Sequence, residues 1–404
     1  MNPRNQVDRW ARWVASRLPA SIRERLAAAV GRRPPEPAAV ERLMREIESR
    51  IRDAVLAHER DWESVDSPAA WVRFRDTRID AMRATLDLPS TRAPVVGKIA
   101  SSTEIDGVAV ENVVYPVRDG MPGFANVYRP RAGRTEAPAI VIAHSHHTDA
   151  THRELREMGV RWARAGAVVV VPTLSGHGVR RLHPFAPAPP GERVPLGDRQ
   201  DYFFRYNAGL QLALAGRSLL AWFVEDVVSA IDVVAGRPEV DRERIVLVGA
   251  VAGGGDVAAA VTALDPRVAG LVCFGYGPGP DLGGDTPGLS TGTWETTRNP
   301  ARVAVDGFLP WVVLASVAPR PLVYAHEFAW SADRDPVWQR LRRVFSMHGA
   351  DGNLEAVHGR GSVRGRPPDN THCTHVGRVH RAAVHPILER WFGVKPPDES
   401  YAVN

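Results

Sequence analysis

Apolar positions change their period partway along the chain. Over the first ninety residues they recur at helical spacing: Trp10, Trp13, Val14 and Leu18 share a face, then Val40, Leu43, Ile47, Ile51 and Val55, then Trp71, Phe74 and Met82. Arg32-Arg33-Pro34-Pro35-Glu36-Pro37 breaks the first pair of helices, and Leu88-Pro89-Ser90 closes the segment. The apolar faces are narrow, so these helices need another surface to pack on. Residues 1–95 therefore read as an N-terminal helical cap region.

From residue 96 the pattern becomes that of strands. Val108, Val110, Val113, Val114 and Val117, then Ala125, Val127 and Tyr128, predict two antiparallel strands joined near Asp119-Gly120. Short apolar runs then alternate with amphipathic stretches. Strands are expected at 139–143, 168–171, 245–248, 268–274, 321–325 and 354–357, and helices at 155–165, 220–234, 257–264, 337–345 and 381–392. Such alternation predicts an α/β architecture, a mostly parallel sheet covered on both faces, with ligand chemistry at the strands' carboxyl ends. Residues 96–404 form this domain, interrupted near 178–216 and 277–306 by insertions rich in Gly, Pro and aromatic residues, which suit walls over a pocket.

Composition narrows the classes. Of 404 residues, 44% are apolar and 24% charged, which excludes wholesale disorder. Lys plus Arg (51) barely exceeds Asp plus Glu (46), and the basic residues are scattered arginines, so no nucleic-acid surface is expected. Two cysteines, Cys273 and Cys373, make no disulfide framework, and no metal-ligand spacing appears, so neither a metal nor a cofactor is expected. No apolar run reaches the ~18 residues of a membrane span. The start shows no leader pattern, so a cytoplasmic protein is expected.

Five strand ends carry polar clusters. They are His144-Ser145-His146-His147-Thr148-Asp149, Ser175-Gly176-His177-Gly178-Val179-Arg180-Arg181, Gly249-Ala250-Val251-Ala252-Gly253-Gly254-Gly255-Asp256, His326-Glu327 with Asp333 and Asp335, and Asn370-Thr371-His372-Cys373-Thr374-His375. In order and spacing they resemble the α/β-hydrolase superfamily over about residues 70–395. The likeness is to its acetylxylan-esterase-like and dienelactone-hydrolase-like members that carry an N-terminal helical region. The resemblance implies an oxyanion hole at the first loop, a nucleophile at the Gly-rich elbow, an acid after a late strand and a histidine in the last loop.

The elbow departs from that pattern. One register puts Val251 at the nucleophile position. The other puts Ala252 there and is closer to the Gly-Ala-Ser-Gly-Gly-Gly form of the resembled esterases. Neither supplies a hydroxyl or thiol, and covalent catalysis needs one. A serine replaced to trap a ligand, a natural serine-less variant and a non-catalytic member all remain open. Asp256 reads as a first-turn acid favoured by the helix dipole.

For the remaining roles the resemblance implies His372 as general base ahead of His375, Glu327 as its orienting acid ahead of Asp335, and an oxyanion hole from Gly253 N–H with His146 and His147. Asp335, just before Pro336, equally suits a helix cap. His144 is read as structural. His177, Arg180, Tyr206 and Trp294 are candidate substrate contacts. Arg180, Arg181 and Arg205 could grip a carboxylate, although surface ion pairs explain them too. The function implied is hydrolysis of a small-acyl ester on a small-molecule or carbohydrate-like substrate. The alternatives are serine-less acid–base chemistry (lyase, isomerase, cyclase or histidine-promoted hydrolysis) and ligand binding on a dead scaffold.

Overall fold

The computed structural model describes residues 37–89, 92–118, 120–130, 136–146, 148–180, 200–251, 253–277, 297–362, 371 and 377–398. The chain divides into two units, 1–53 and 54–404. The expected line at 95/96 marks where the periodicity changes; the compact unit holding the sheet starts at Ala54. Of the first unit, the described part is the opening of helix α1 (Pro37–Glu63), which exposes Leu43 and Ile47 and carries the Glu41–Arg45 and Glu46–Arg50 pairs. The helix expected around Trp10–Leu18 lies outside the described residues.

The second unit opens with the end of α1 and with α2 (Pro68–Thr85). Ser67 starts α2: its side chain accepts the Ala70 N–H at 3.3 Å and Pro68 supplies a preset φ. Trp71, Phe74, Ile79 and Met82 of α2 are buried, as the helical spacing predicts.

Strands β1 (Lys98–Ile105), β2 (Val108–Arg118), β3 (Met121–Pro130), β4 (Ala137–Ala143), β5 (Val168–Pro172), β6 (Val240–Ala250), β7 (Val268–Phe274), β8 (Leu322–His326) and β9 (Leu354–His358) make one sheet in the order β1-β2-β3-β5-β4-β6-β7-β8-β9. β1, β2, β3 and β5 pair antiparallel in turn, while β5, β4, β6, β7, β8 and β9 are mutually parallel. β4 and β5 are buried along their whole length, which is why their sequences are continuous apolar runs. Polar β1 had no apolar run to announce it and is almost wholly exposed at the sheet edge.

The helices expected between strands are present: α3 (Arg153–Arg164), α5 (Leu219–Ala235), α6 (Gly255–Leu264), α9 (Pro336–Met347) and α10 (Arg378–Phe392). Inside the first insertion the chain forms α4 (Gln200–Leu214), a helix the sequence reading did not place. The second insertion ends in the one-turn α7 (Val303–Asp306), followed by α8 (Pro310–Ala315). Trp311 of α8 is buried in an aromatic cluster with Trp62, Trp71 and Phe74, at centroid distances of 4.9, 6.4 and 6.0 Å. It is core rather than pocket wall.

Candidate active site

The turn from β6 into α6 is the centre of the candidate site. β6 ends at Ala250, and the next residue, Val251, has φ 61°. Its N–H donates to Phe274 O at 3.1 Å, and its carbonyl accepts the N–H groups of Gly254 and Gly255 at 3.2 and 2.7 Å. A positive φ on a β-branched residue is an outlier, typical of a strained functional turn. Ala252 lies outside the described residues. Gly253 follows at φ 83°, where a side chain is strained, and a Cβ there would collide with the guanidinium of Arg205.

The expected oxyanion role of Gly253 is not what its amide does. The Gly253 N–H donates to Asp256 Oδ1 at 2.5 Å, as a helix's first-turn acid invites. Asp256 is buried and holds the bend from inside; burial first, and then the nearby Asp256 carboxylate, pushes the Cys273 thiol up.

Glu327, first in rank as the acid, is buried at the end of β8 and faces the turn. A Cβ built at Gly275 would lie 3.4 Å from Glu327 Oε1 and 3.8 Å from the Val251 Cα, so carboxylate and elbow flank one point. Thr371 comes alongside, its hydroxyl donating to the Glu327 carbonyl. His372, His375, His147 and Trp294, all expected in the site, lie outside the described residues.

Asp335 is not an orienting acid. It caps α9, with Oδ1 accepting Val337 and Trp338 N–H at 2.8 and 3.4 Å. Its Oδ2 accepts the Tyr324 hydroxyl and the Trp330 indole at 2.9 and 2.7 Å, so four donors consume the carboxylate. His326 Nε2 stands 3.7 Å from the same oxygen.

The expected substrate contacts separate likewise. His177 is buried; its Nδ1 and Nε2 lie 3.0 and 3.1 Å from the Ser175 and His146 carbonyls, and the nitrogen that carries the proton donates to the carbonyl beside it. Burial, then His144 and Arg205, holds its pKa well below the usual histidine value, so the imidazole is neutral. His146 itself is buried beside it. His144 is structural as read: its Nε2 accepts the Leu174 N–H at 3.1 Å.

Arg180 is engaged within the protein. It pairs with buried Asp226 at 2.9 Å and donates to Thr173 O at 3.0 Å. Asp226 also takes Arg118 and both donors of Ser175. Tyr206 is 51% exposed on α4, whereas its neighbour Arg205 is wholly buried against Gly253 with its guanidinium carbon 5.0 Å from the Phe223 ring centre. Arg205 had carried no distinction over Arg180 and Arg181, because its depth depends on an insertion helix that apolar spacing did not reveal.

Residues 96–276 match the model of the acetyl xylan esterase (AXE1) family. No curated protein matches the chain. Among solved structures, a methylesterase is similar with TM-score 0.60 and 19% identity over 86% of this chain and 70% of its own. An acetyl xylan esterase from Paenibacillus sp. R4 matches with TM-score 0.48 and 17% identity, over 81% of this chain and 95% of its own. The nine-stranded, mostly parallel sheet with its helices is that of the α/β-hydrolase fold.

Proposed function

Taking this chain as an esterase-like α/β-hydrolase similar to the acetyl xylan esterases, we propose that it hydrolyses a small acyl ester carried on a carbohydrate by direct attack of water. The observation that carries this reading is the pairing of a preserved, strained elbow at Val251 with the Glu327 carboxylate beside it. In such folds the residue that bears the strain is the one that would attack, which favours the register with Val251, not Ala252, at the nucleophile position. A valine offers no attacking atom, so the acyl-enzyme route is closed.

A histidine of the last loop, His372 or His375, takes a proton from water as the water oxygen bonds to the acyl carbon. Glu327 orients that imidazole, and Thr371 on the Glu327 carbonyl supports the approach of the loop. Collapse of the tetrahedral adduct releases the carboxylic acid and the sugar hydroxyl, which takes up the proton. Without a covalent step the rate should lie orders of magnitude below that of a serine esterase.

The test compares the natural chain with Val251→Ser and Ala252→Ser. Slow turnover of p-nitrophenyl acetate and acetylated xylo-oligosaccharides, lost in Glu327→Gln and without fluorophosphonate labelling, is the expected behaviour of the natural chain. Val251→Ser should become labelled and faster by about a hundredfold or more, while Ala252→Ser stays unlabelled. Labelling of Ala252→Ser instead would put the apex one residue on. A natural chain no faster than buffer, with Val251→Ser also inert, would sink the hydrolase reading. The apolar apex favours one second reading, a ligand-binding scaffold: there the natural chain is inert and only Val251→Ser turns over.

A further inference from the structure

The end of the sheet remote from the elbow holds a cavity that the proposed reaction does not use. Its volume is about 580 Å³, within the usual range for a small-molecule site. It is lined by Ala137 and Val168, which open β4 and β5, and by Glu239, which precedes β6, so the length of β6 separates it from Val251. Val95, Val113, Val168, Val233 and Pro238 give it an apolar wall. Val96 and Ile99 also line it and are 85% and 51% exposed, which makes the mouth apolar too.

The polar part of the lining is built around one carboxylate. Glu111 of β2 is buried; its Oε1 accepts the Arg129 Nε–H at 2.6 Å, and its Oε2 stands 2.9 Å from Arg237 Nη1. Arg237 Nε donates to Glu239 at 2.7 Å. Asp232, also in the lining, is taken by Arg92 and Arg267. Donors are left over. Among the described residues no hydrogen bond reaches Nη1 or Nη2 of Arg129, or Nη2 of Arg237. We propose that this cavity is a second binding site, for a small carboxylate with an apolar or aromatic body, its head on Arg129 and Arg237 and its body among the valines. Arg129 is suited to the head, because its side chain is 36% exposed and held at Nε, which leaves the outer fork for a bidentate ligand. The lining arginines Arg129 and Arg237 are balanced by Glu111 and Glu239, so a single negative charge meets less repulsion there than the double charge of a phosphate. The apolar wall stabilises whatever body leaves water with the head. The hydrolase reading is not needed for this proposal, since no group of the elbow takes part.

The probe is 4-phenylbutyrate, titrated calorimetrically into the full-length protein, with 4-phenylbutyramide as the uncharged body and acetate as the head alone. 4-Phenylbutyrate is expected to bind at least tenfold more tightly than either. Arg129→Gln removes the open fork but leaves Glu111 on Arg237, and Val95→Phe narrows the apolar wall; each should weaken 4-phenylbutyrate at least tenfold. Turnover of p-nitrophenyl acetate should stay within twofold in both. No binding of 4-phenylbutyrate, or an affinity in folded Arg129→Gln within threefold of the natural chain's, would overturn the proposal. So would competitive inhibition of ester turnover with an affinity that Val95→Phe leaves unchanged, because the acid would then sit at the elbow. Should Arg129→Gln not fold, the amide and Val95→Phe decide: full affinity in either case overturns it. A chain inert toward esters that still binds 4-phenylbutyrate through Arg129 would sustain the proposal and remove only the hydrolase reading.

Discussion

Asp335 and Asp256 show how a carboxylate near a site can be spent on architecture. Asp335 receives two helix-start amides, a buried tyrosine hydroxyl and an indole N–H. Replacing it by Ala removes an N-cap and leaves the Tyr324 hydroxyl buried without that acceptor, so stability should fall by about 2–4 kcal/mol in urea titrations. Ester turnover per folded molecule should stay as it was, because Asp335 orients nothing at the elbow; a large kcat loss at constant folded fraction would restore it as a catalytic acid. Asp256→Ala strands the Gly253 N–H instead, at about 1–3 kcal/mol. At this scale the sequence was only partly legible. Glu327 could be ranked first because a strand end has a fixed place in the topology. The internal partners of His177 and Arg180 were not legible, because His146 and Asp226 come from other segments.

Among the elements, the strands β2 to β9 and the helices α3, α5, α6, α9 and α10 were readable because each carries one unbroken period, 2 or 3.6, set by burial on one or both faces. β1 escaped because an exposed edge strand needs no apolar residues, and α4 because part of its outer face, Tyr206, Leu210 and Leu214, carries apolar side chains exposed to solvent. Packing of α2 against the rest of its unit runs through Trp71, which is wholly buried and lies with Trp62, Phe74 and Trp311 in one aromatic cluster. Trp311→Ala should therefore cost about 3–5 kcal/mol, the range for emptying a buried aromatic site, without changing KM for any ester. A KM rise with unchanged stability would instead make Trp311 a wall of the substrate pocket.

For the molecule as a whole, buried histidines set the response to acid. Burial lowers the His326 pKa to about 4, with His358 adding to the effect and Asp335 opposing it. His177 and His380 are lowered too, burial being the first cause in both. In the unfolded chain all three return to about 6.5. Between these values the unfolded state binds more protons than the folded one, so stability rises with pH across that window and is lost as pH falls through it. Each such group contributes a slope of up to about 1.4 kcal/mol per pH unit. The carboxylate Glu111 is held below its usual range by Arg129 and Arg237 against the opposing effect of burial; what it contributes disappears only at lower pH and does not mask the histidine window. Melting temperature should accordingly be highest at and above pH 7 and decline steadily from pH 6.5 to 5. His326→Gln, which keeps a polar side chain but cannot take up the proton, should flatten that decline by one histidine's share even if it lowers the melting temperature at pH 7. A melting temperature that held constant or rose between pH 6.5 and 5 would mean that these imidazoles are reached by water or charge-paired in the folded protein.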